Sequence, residues 1–306
     1  MNRLTVAGLC IATALGGRVL AAQGGALQLP SEPGGKFGRS ITASFEGWYD
    51  NKDGSHVFLV GYYNRNLAQE VDIPVGPNNH IEPGGPDFGQ PTHFLPGRQT
   101  GVFTITVPKE FTPQQRLTWT IVDNGATTSI PLRLNTDYNV SPFEDAAVGN
   151  TPPALKFEEG GPAIQGPIAT VSKALPRTAT VNTPMELPLW ANDDAKFTSG
   201  TNAPMRNPRP PVTAMWSKYR GPGKVTFAPE NARPKFETLS GGQVGQPYAG
   251  KASVTATFSE PGEYILHVVG NDYSGPGGGG EVCCWTTAMV KVNVKPAAVA
   301  RTTGQQ

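Results

Sequence analysis

The stretch ASVTATFSEPGEYILHVVGNDYSGPGGGGEVCCWTTAMVKVNV, residues Ala252–Val294, carries the strongest structural signal in the chain. One strand runs into a Pro-Gly turn, and Tyr264 opens a second strand that ends at Asn271-Asp272. A Gly-rich loop and a third strand follow. Short strands separated by turn residues are typical of the closing half of a small β-sandwich. Such modules usually bind other molecules or act as spacers, and the pattern by itself indicates no particular ligand.

The composition of the chain favours the same fold class along its whole length. The 306 residues include 37 Gly and 30 Pro, and only 16% are charged, which suits an all-β chain with many turns. The formal net charge of +1 gives no electrostatic attraction to nucleic acid or anionic lipid. We therefore expect no nucleic-acid partner.

The N-terminus has the pattern of a secretory signal peptide covering residues 1–22. Arg3 supplies the positive start, Leu4–Leu15 is apolar, and small residues precede a cleavage point near Ala22. The apolar run is too short for a bilayer, which needs about 20 residues. A lipoprotein signal at Cys10 is disfavoured because Leu9 stands where a small residue is required. The mature chain is predicted to be exported and to lack a membrane span.

Two sandwich domains are predicted from the alternation of apolar and polar residues. After a Gly/Pro/Ser-rich linker at 23–38, about six strands with period-2 alternation fill residues 39–137. Asn124-Gly125 within this region is the signature of a type I′ hairpin. A second Pro/Gly-rich linker, 138–167, is predicted to be an extended, semi-rigid spacer. The second sandwich then spans 168–295, and 296–306 form a disordered tail.

The second sandwich resembles a known family through four motifs: Met215-Trp216-Ser217-Lys218, Gly221-Pro222-Gly223, Pro261-Gly262-Glu263-Tyr264 and Asn271-Asp272. It is similar to the PKD-like modules of bacterial secreted and surface proteins, over most of Ile168–Lys295. The resemblance implies an immunoglobulin-like sandwich that mediates extracellular contacts and carries no catalytic residues. The Trp-Asp-Phe-Gly-Asp-Gly motif of many PKD domains is missing. No family is recognised for 39–134.

Trp216 and Tyr264 are expected to have structural roles. Trp216 on a central strand would fill the space between the sheets. Tyr264 directly after a Pro-Gly turn fits a tyrosine corner, in which the hydroxyl group bonds to nearby backbone. His267 falls on the opposite face of the same strand, where we expect it to be solvated.

The adjacent residues Cys283 and Cys284 are the cysteines of the mature chain. Strand alternation places Cys284 inward, and places Cys283 and Trp285 outward. One buried and one surface thiol is the favoured interpretation, because neighbouring Cα atoms lie only about 3.8 Å apart across a trans peptide. A disulfide between the two, or an intermolecular bridge, remains as an alternative. No spacing of Cys and His predicts a zinc site.

Two candidate sites can be proposed from residue types. Asp193 and Asp194 follow one strand and Asp272 ends another, so their oxygens suit a weak Ca²⁺ site, although turn capping by the same side chains is the alternative. Aromatic residues with a cation form the second candidate, suited to a sugar or a protein partner. Its residues are Trp48, Tyr49, Tyr63, Arg65 and Trp285, with Tyr62 in the same hairpin; packing inside the sandwich is the alternative.

Catalytic chemistry has little support in the sequence. The long loop Gly76–Arg98 carries His80, Glu82, Asp87 and His93, but their spacing matches no tight metal motif. Neither a His-Glu-x-x-His nor a Gly-x-Ser-x-Gly motif occurs. The loop is interpreted either as a Pro-rich surface loop or as a functional one.

The sequence thus predicts a secreted, periplasmic or cell-surface bacterial protein made of two immunoglobulin-like β-sandwiches. Its predicted function is non-catalytic binding or adhesion, with an extracellular glycan or an envelope protein as partner. A structural or accessory subunit of an envelope assembly is the alternative, and a hydrolase that uses the Gly76–Arg98 loop is a second one. We expect no cofactor apart from Ca²⁺.

Overall fold

The structure, a computed structural model, describes residues 33–145, 149–196, 210–243, 245–274 and 283–297. The predicted signal peptide, most of the first linker and most of the C-terminal tail lie outside the described residues. Within them the strands are, in chain order, β1 (Ile41–Asp50), β2 (His56–Asn64), β3 (Val71–Asp72), β4 (Asn79–Glu82), β5 (His93–Phe94), β6 (Gly97–Val107), β7 (Leu117–Asp123), β8 (Ala126–Leu132), β9 (Ala154–Lys156), β10 (Leu175–Thr180), β11 (Met185–Asp193), β12 (Thr213–Arg220), β13 (Val225–Ala228), β14 (Glu237–Ser240), β15 (Tyr248–Phe258), β16 (Gly262–Asn271) and β17 (Trp285–Lys295).

The predicted all-β class and the two sandwiches are confirmed. Only short 3-10 turns, at Thr136–Tyr138 and Val171–Lys173, are helical among the described residues. No helix in this part of the chain is long and apolar enough to cross a bilayer.

The first sandwich packs the sheet β1-β2-β6 against the sheet β4-β7-β8, and a two-stranded ribbon, β3-β5, lies beside them. Phe58, Phe103 and Trp119 are fully buried between the sheets. The indole Nε1 of Trp119 donates to Asn79 Oδ1 at 2.9 Å, which satisfies its buried donor. The hairpin predicted at Asn124-Gly125 is present: β7 pairs with β8 around it, and both residues have positive φ.

The second sandwich packs the sheet β10-β17-β16-β12 against β13-β15-β11-β9, and β14 also pairs with β15. Trp216 and Tyr264 are buried in its core, as expected. The hydroxyl group of Tyr264 donates to Glu260 O and accepts from Gly223 N, each at 3.0 Å. Its ring packs on Gly221, where a Cβ would fall 2.1 Å from the ring. These contacts are those of a tyrosine corner.

The prediction of a spacer at 138–167 is wrong for the described part of that segment. Strand β9 pairs with β11, and Leu155 and Phe157 are buried in the core of the second sandwich. The segment therefore forms an edge of the sheet. The apolar residues at 155 and 157 explain this, because an exposed spacer would leave both in water.

The two sandwiches share apolar core. Tyr219, Ile265 and Met289 lie on the face of β12, β16 and β17 that points away from their own core, and they are buried in the core of the first sandwich. Tyr219 also accepts a backbone hydrogen bond from Thr92 N at 3.2 Å. The described residues from Pro33 onwards accordingly belong to one compact unit.

This shared core corrects two predictions. His267 was expected to be solvated and Trp285 to face outward, but they are 4% and 1% exposed. Alternation assigned both residues to the correct face of their strands. That face is covered by the first sandwich rather than by water, so both side chains are interface residues.

Candidate functional site

A cleft with a volume of about 690 Å³ lies between the two sandwiches. We call it the interdomain groove. The first sandwich lines it with Glu70, Asp72, His93 and Leu95, and the second lines it with parts of β12 and β13 and with the loops beside them. Clefts of this size at domain boundaries are the usual place for small-molecule sites.

The ribbon β3-β5 sets the polar centre of this groove. Its register pairs Asp72 with His93, and Glu70 immediately precedes β3. Strand β5 also contacts β12, which brings in Lys218 from the second sandwich. Three elements distant in sequence therefore place two carboxylates, an imidazole and an ammonium group side by side.

His93 is held between the two carboxylates. Its Nδ1 lies 2.9 Å from Asp72 Oδ1, and its Nε2 lies 3.2 Å from Glu70 Oε2. Lys218 Nζ lies 3.1 Å from the same Asp72 oxygen. The His93 side chain is only 7% exposed, whereas those of Glu70 and Asp72 are 58% and 61% exposed. Each carboxylate thus contacts His93 on one side, and its other side faces the groove.

The protonation of this cluster follows from these contacts. Burial lowers the pKa of His93, but the hydrogen bonds to Asp72 and Glu70 outweigh burial and raise it above its usual value. The hydrogen bond from His93 holds the pKa of Glu70 and that of Asp72 below their usual values. Both ring nitrogens can donate only in the imidazolium form, so the geometry favours a charged His93 between two ionised acids.

Among the four residues singled out in the long loop Gly76–Arg98, only His93 lines the groove. Asp87 instead makes a two-point contact with Arg220, at 2.8 and 3.0 Å, and His80 Nδ1 lies 3.1 Å from Pro77 O. The residues singled out in this loop by sequence therefore do not converge. Glu70 and Asp72, the partners of His93, and Lys218, which binds Asp72, were missed because only tertiary packing brings them together.

The predicted aromatic site is not assembled. Tyr49, Arg65 and Trp285 are 6%, 4% and 1% exposed, and Tyr62 is also buried. Trp48 is half-buried and its Nε1 donates to Asn135 O at 2.7 Å, while Arg65 lies over the Tyr63 ring at 5.3 Å. The expectation of exposure is wrong for Tyr49 and Arg65, which pack within the first sandwich, and for Trp285, which packs between the sandwiches.

The favoured interpretation of Cys283 and Cys284 as free thiols is also wrong. The two residues are joined by a disulfide across a cis peptide bond, with Cα atoms 3.1 Å apart. Cys284 is buried, as alternation predicted. Its sulfur lies 3.4 Å from Asn150 O, so the pair packs against the chain that connects the sandwiches.

The predicted calcium residues lie at one end of the second sandwich, where turn capping is also present. Asp193 Oδ2 accepts from Ala195 N at 2.8 Å, and Asp272 Oδ1 accepts from Ser274 N at 2.8 Å. Asp194 Oδ2 accepts from Thr151 N at 3.1 Å. Within the described ranges, no three His, Cys, Asp or Glu side chains converge as a metal-ligand set.

Comparison with known proteins adds little beyond the geometry. No family model matches the chain, and no curated protein matches it. Solved structures with weak similarity include the ASH/PapD-like domain 7 of human CEP192, with 11% identity, a TM-score of 0.26 and coverage of 55% of this chain and 100% of that one. Domains 4 and 5 of the S-layer protein SbsC show 12% identity, a TM-score of 0.19 and coverage of 84% and 98%.

The D00–D0 domain of intimin shows 12% identity and a TM-score of 0.20, and the match covers 83% of this chain and 97% of that one. TM-scores this low do not establish a shared fold. The assignment of two β-sandwiches therefore rests on the strand pairing and on the buried cores described above.

Proposed function

We propose that this chain is a secreted or cell-surface, non-catalytic binding protein that holds an extracellular glycan in the interdomain groove. The observation that carries the proposal is the arrangement of Glu70 and Asp72. Each uses a carboxylate oxygen on the buried His93, yet each remains more than half exposed. Carboxylates fixed in this way are oriented acceptors for the hydroxyl groups of a sugar.

The surroundings of the groove support a sugar rather than a flat protein surface. A volume of about 690 Å³ suits a ligand of one or two sugar rings. Phe227 and Met215 provide apolar surface, and Lys218 and Lys224 provide donors. Four acids, Glu70, Asp72, Glu230 and Glu260, line the groove, so neutral or amino sugars are expected to bind better than anionic ones.

The same geometry disfavours the hydrolase alternative. A general base needs a ring nitrogen within hydrogen-bond reach of the proton that it removes. Both nitrogens of His93 are already bound to carboxylates, at 2.9 and 3.2 Å. His93 is therefore better suited to fix the two acids than to activate a nucleophile.

The test is binding of the exported chain to a panel of neutral, amino and anionic sugars by calorimetry. Asp72→Asn and Glu70→Gln should each weaken binding by about tenfold or more, because a charged acceptor is lost. Asp50→Asn is a matched control: Asp50 Oδ1 contacts His56 Nδ1 at 2.5 Å, outside the groove. Equal affinity in the groove variants, or no binding to any sugar by a folded protein, would refute the proposal.

A structural subunit of an envelope assembly is a second candidate. The observation that favours it is the apolar core shared by the sandwiches through Tyr219, Ile265 and Met289, which makes a stiff unit suited to spacing. Co-purification with an envelope complex that survives Asp72→Asn would favour this role over the glycan-binding one.

A further inference from the structure

Two carboxylates enter the interior of the second sandwich from opposite sheets at its loop end. Asp193 is the last residue of β11, on the same face as the buried Leu187, Leu189 and Ala191. Asp272 directly follows β16 in the other sheet. The two residues are 7% and 2% exposed, so neither carboxylate is solvated in the ordinary way.

Asn150, from the segment between the sandwiches, binds one of these acids. Its Nδ2 donates to Asp272 Oδ2 at 2.7 Å, and the residue is 1% exposed. The Cys284 sulfur, 3.4 Å from Asn150 O, borders the same residue. Because the amide nitrogen is bound to Asp272, the orientation of the Asn150 amide oxygen is fixed as well.

Two oxygens at this place lack any donor. Asn150 Oδ1 and Asp193 Oδ1 are buried and make no hydrogen bond with any described residue. Lys196 Nζ lies 2.6 Å from Gly149 O and 3.8 Å from Asp194 Oδ2, and among the described residues no ion pair joins it to Asp193 or Asp272. Buried acceptors without donors are normally satisfied by water or an ion.

The electrostatics of Asp193 and Asp272 also favour binding of a cation. Burial, followed by repulsion from Asp272 and Asp194, raises the pKa of Asp193 to about 7. Burial also raises the pKa of Asp272. A cation placed between these carboxylates would remove both the desolvation penalty and their repulsion.

We propose that a calcium ion binds at the loop end of the second sandwich, with Asn150 Oδ1 and the carboxylates of Asp193 and Asp272 as ligands. Asp194 is not part of this set, because its side chain is 24% exposed and already lies 3.8 Å from the Lys196 ammonium group. Two carboxylates and one amide oxygen leave positions for water or backbone carbonyls. Calcium tolerates such irregular, oxygen-only coordination, whereas magnesium requires near-octahedral geometry.

A site with so few charges is expected to be weak. Extracellular calcium modules bind in the range of roughly 10⁻⁴–10⁻³ M. The site would act on the second sandwich by linking β11, β16 and the segment that carries Asn150. Its occupancy is independent of the interdomain groove, because none of its residues lines that groove.

The experiment is titration of chelator-treated protein with Tb³⁺, followed by displacement with Ca²⁺. Tyr248 pairs with Asp193 in the sheet, and Tyr273 interacts electrostatically with Asp193, so tyrosine excitation should sensitise bound Tb³⁺. We expect saturable luminescence that Ca²⁺ displaces and Mg²⁺ does not. In parallel, Ca²⁺ at millimolar concentration should raise the Tm by a few degrees.

Asp193→Asn and Asn150→Ala should each weaken Tb³⁺ binding at least tenfold, whereas Asp137→Asn, an exposed acid of the first sandwich, should not. If the Asp193 variant fails to fold, the Asn150 variant and the wild-type Ca²⁺ shift still decide the question. Absence of sensitised luminescence and of a Tm shift in wild-type protein would overturn the proposal. Luminescence that persists unchanged in both variants would overturn it as well.

Discussion

The indole ring of Trp285 lies directly against the backbone of Gly101: a Cβ built on Gly101 would fall 2.4 Å from the ring. Gly101 is in β6 of the first sandwich and Trp285 begins β17 of the second, so this contact joins the two domains. The ring can approach the backbone this closely only because residue 101 has no side chain.

Gly101→Ala is therefore expected to destabilise the protein by about 3 kcal/mol or more, since it combines a steric clash with a positive φ of 54°. Gly97→Ala is the matched control: Gly97 lies in the same strand with a φ of 77°, but a Cβ there meets nothing within 4 Å. Urea unfolding of both variants measures the difference. A similar loss of unfolding free energy in the two variants would show that backbone strain alone causes the effect.

Arg220 makes several polar contacts across the interface. It bonds both oxygens of Asp87, at 2.8 and 3.0 Å, and its Nε donates to Gln90 O at 2.9 Å. Arg220→Lys should lower the free energy of unfolding by about 1–2 kcal/mol, because an ammonium group cannot reproduce the planar two-point contact. Arg177→Lys, which alters a single contact with the exposed Glu158, should change stability by less than about 0.5 kcal/mol. Equal effects would show that the Asp87 contact is no stronger than a surface pair.

His267 should make the protein sensitive to acid. Burial at the interface lowers its pKa to about 4, whereas an unfolded histidine titrates near about 6.5. The unfolded chain therefore binds the additional proton, and stability falls as pH drops from about 6.5 towards 4, by at most about 3 kcal/mol.

His267→Leu should flatten this part of the stability profile, measured by urea unfolding at pH 4.5, 5.5 and 7. His80→Leu serves as the control, because His80 lies outside the interface. A slope that survives in His267→Leu would locate the acid sensitivity elsewhere.

The titration of Asp193 should change stability with pH in the direction opposite to that of His267. Its folded pKa is raised to about 7, so in chelator the folded state loses stability as pH rises from about 4 through 7. Asp193→Asn removes this loss and should be more stable than wild type at pH 8 without Ca²⁺, by at most about 4 kcal/mol. The difference in stability between the Asp193→Asn variant and the wild type should become smaller or change sign when Ca²⁺ is added. A wild-type advantage at pH 8 in chelator would contradict the raised pKa.

Much of the fold could be predicted from local sequence, since strand alternation and turn chemistry are local properties. Asn124-Gly125 forms the predicted hairpin turn, and Tyr264 forms the predicted tyrosine corner. Alternation also assigned His267 and Trp285 to the correct face, but it does not say what covers that face. The apolar residues Ile265, Val269 and Met289 on the same outward face were the available signal, because a strand that is apolar on both sides is buried on both sides.

The candidate site was less accessible to sequence reasoning. His93 stood in a loop already singled out, but Glu70 and Lys218, on opposite sides of it along the chain, are brought to it only by tertiary packing. Asp193 and Asp272 were found from residue type and strand position. Asn150, which binds Asp272, lies in a segment interpreted as a spacer, so nothing local indicated its role.

The core shared through Tyr219, Ile265 and Met289 has a mechanical consequence. A tandem of independent modules bends at its linker, and force applied to its ends first straightens that linker. Here any bending must pull apolar side chains of one sandwich out of the other and into water. A load on the two sandwiches is therefore carried by the pair as one rigid body, and the geometry of the groove between them is preserved under tension.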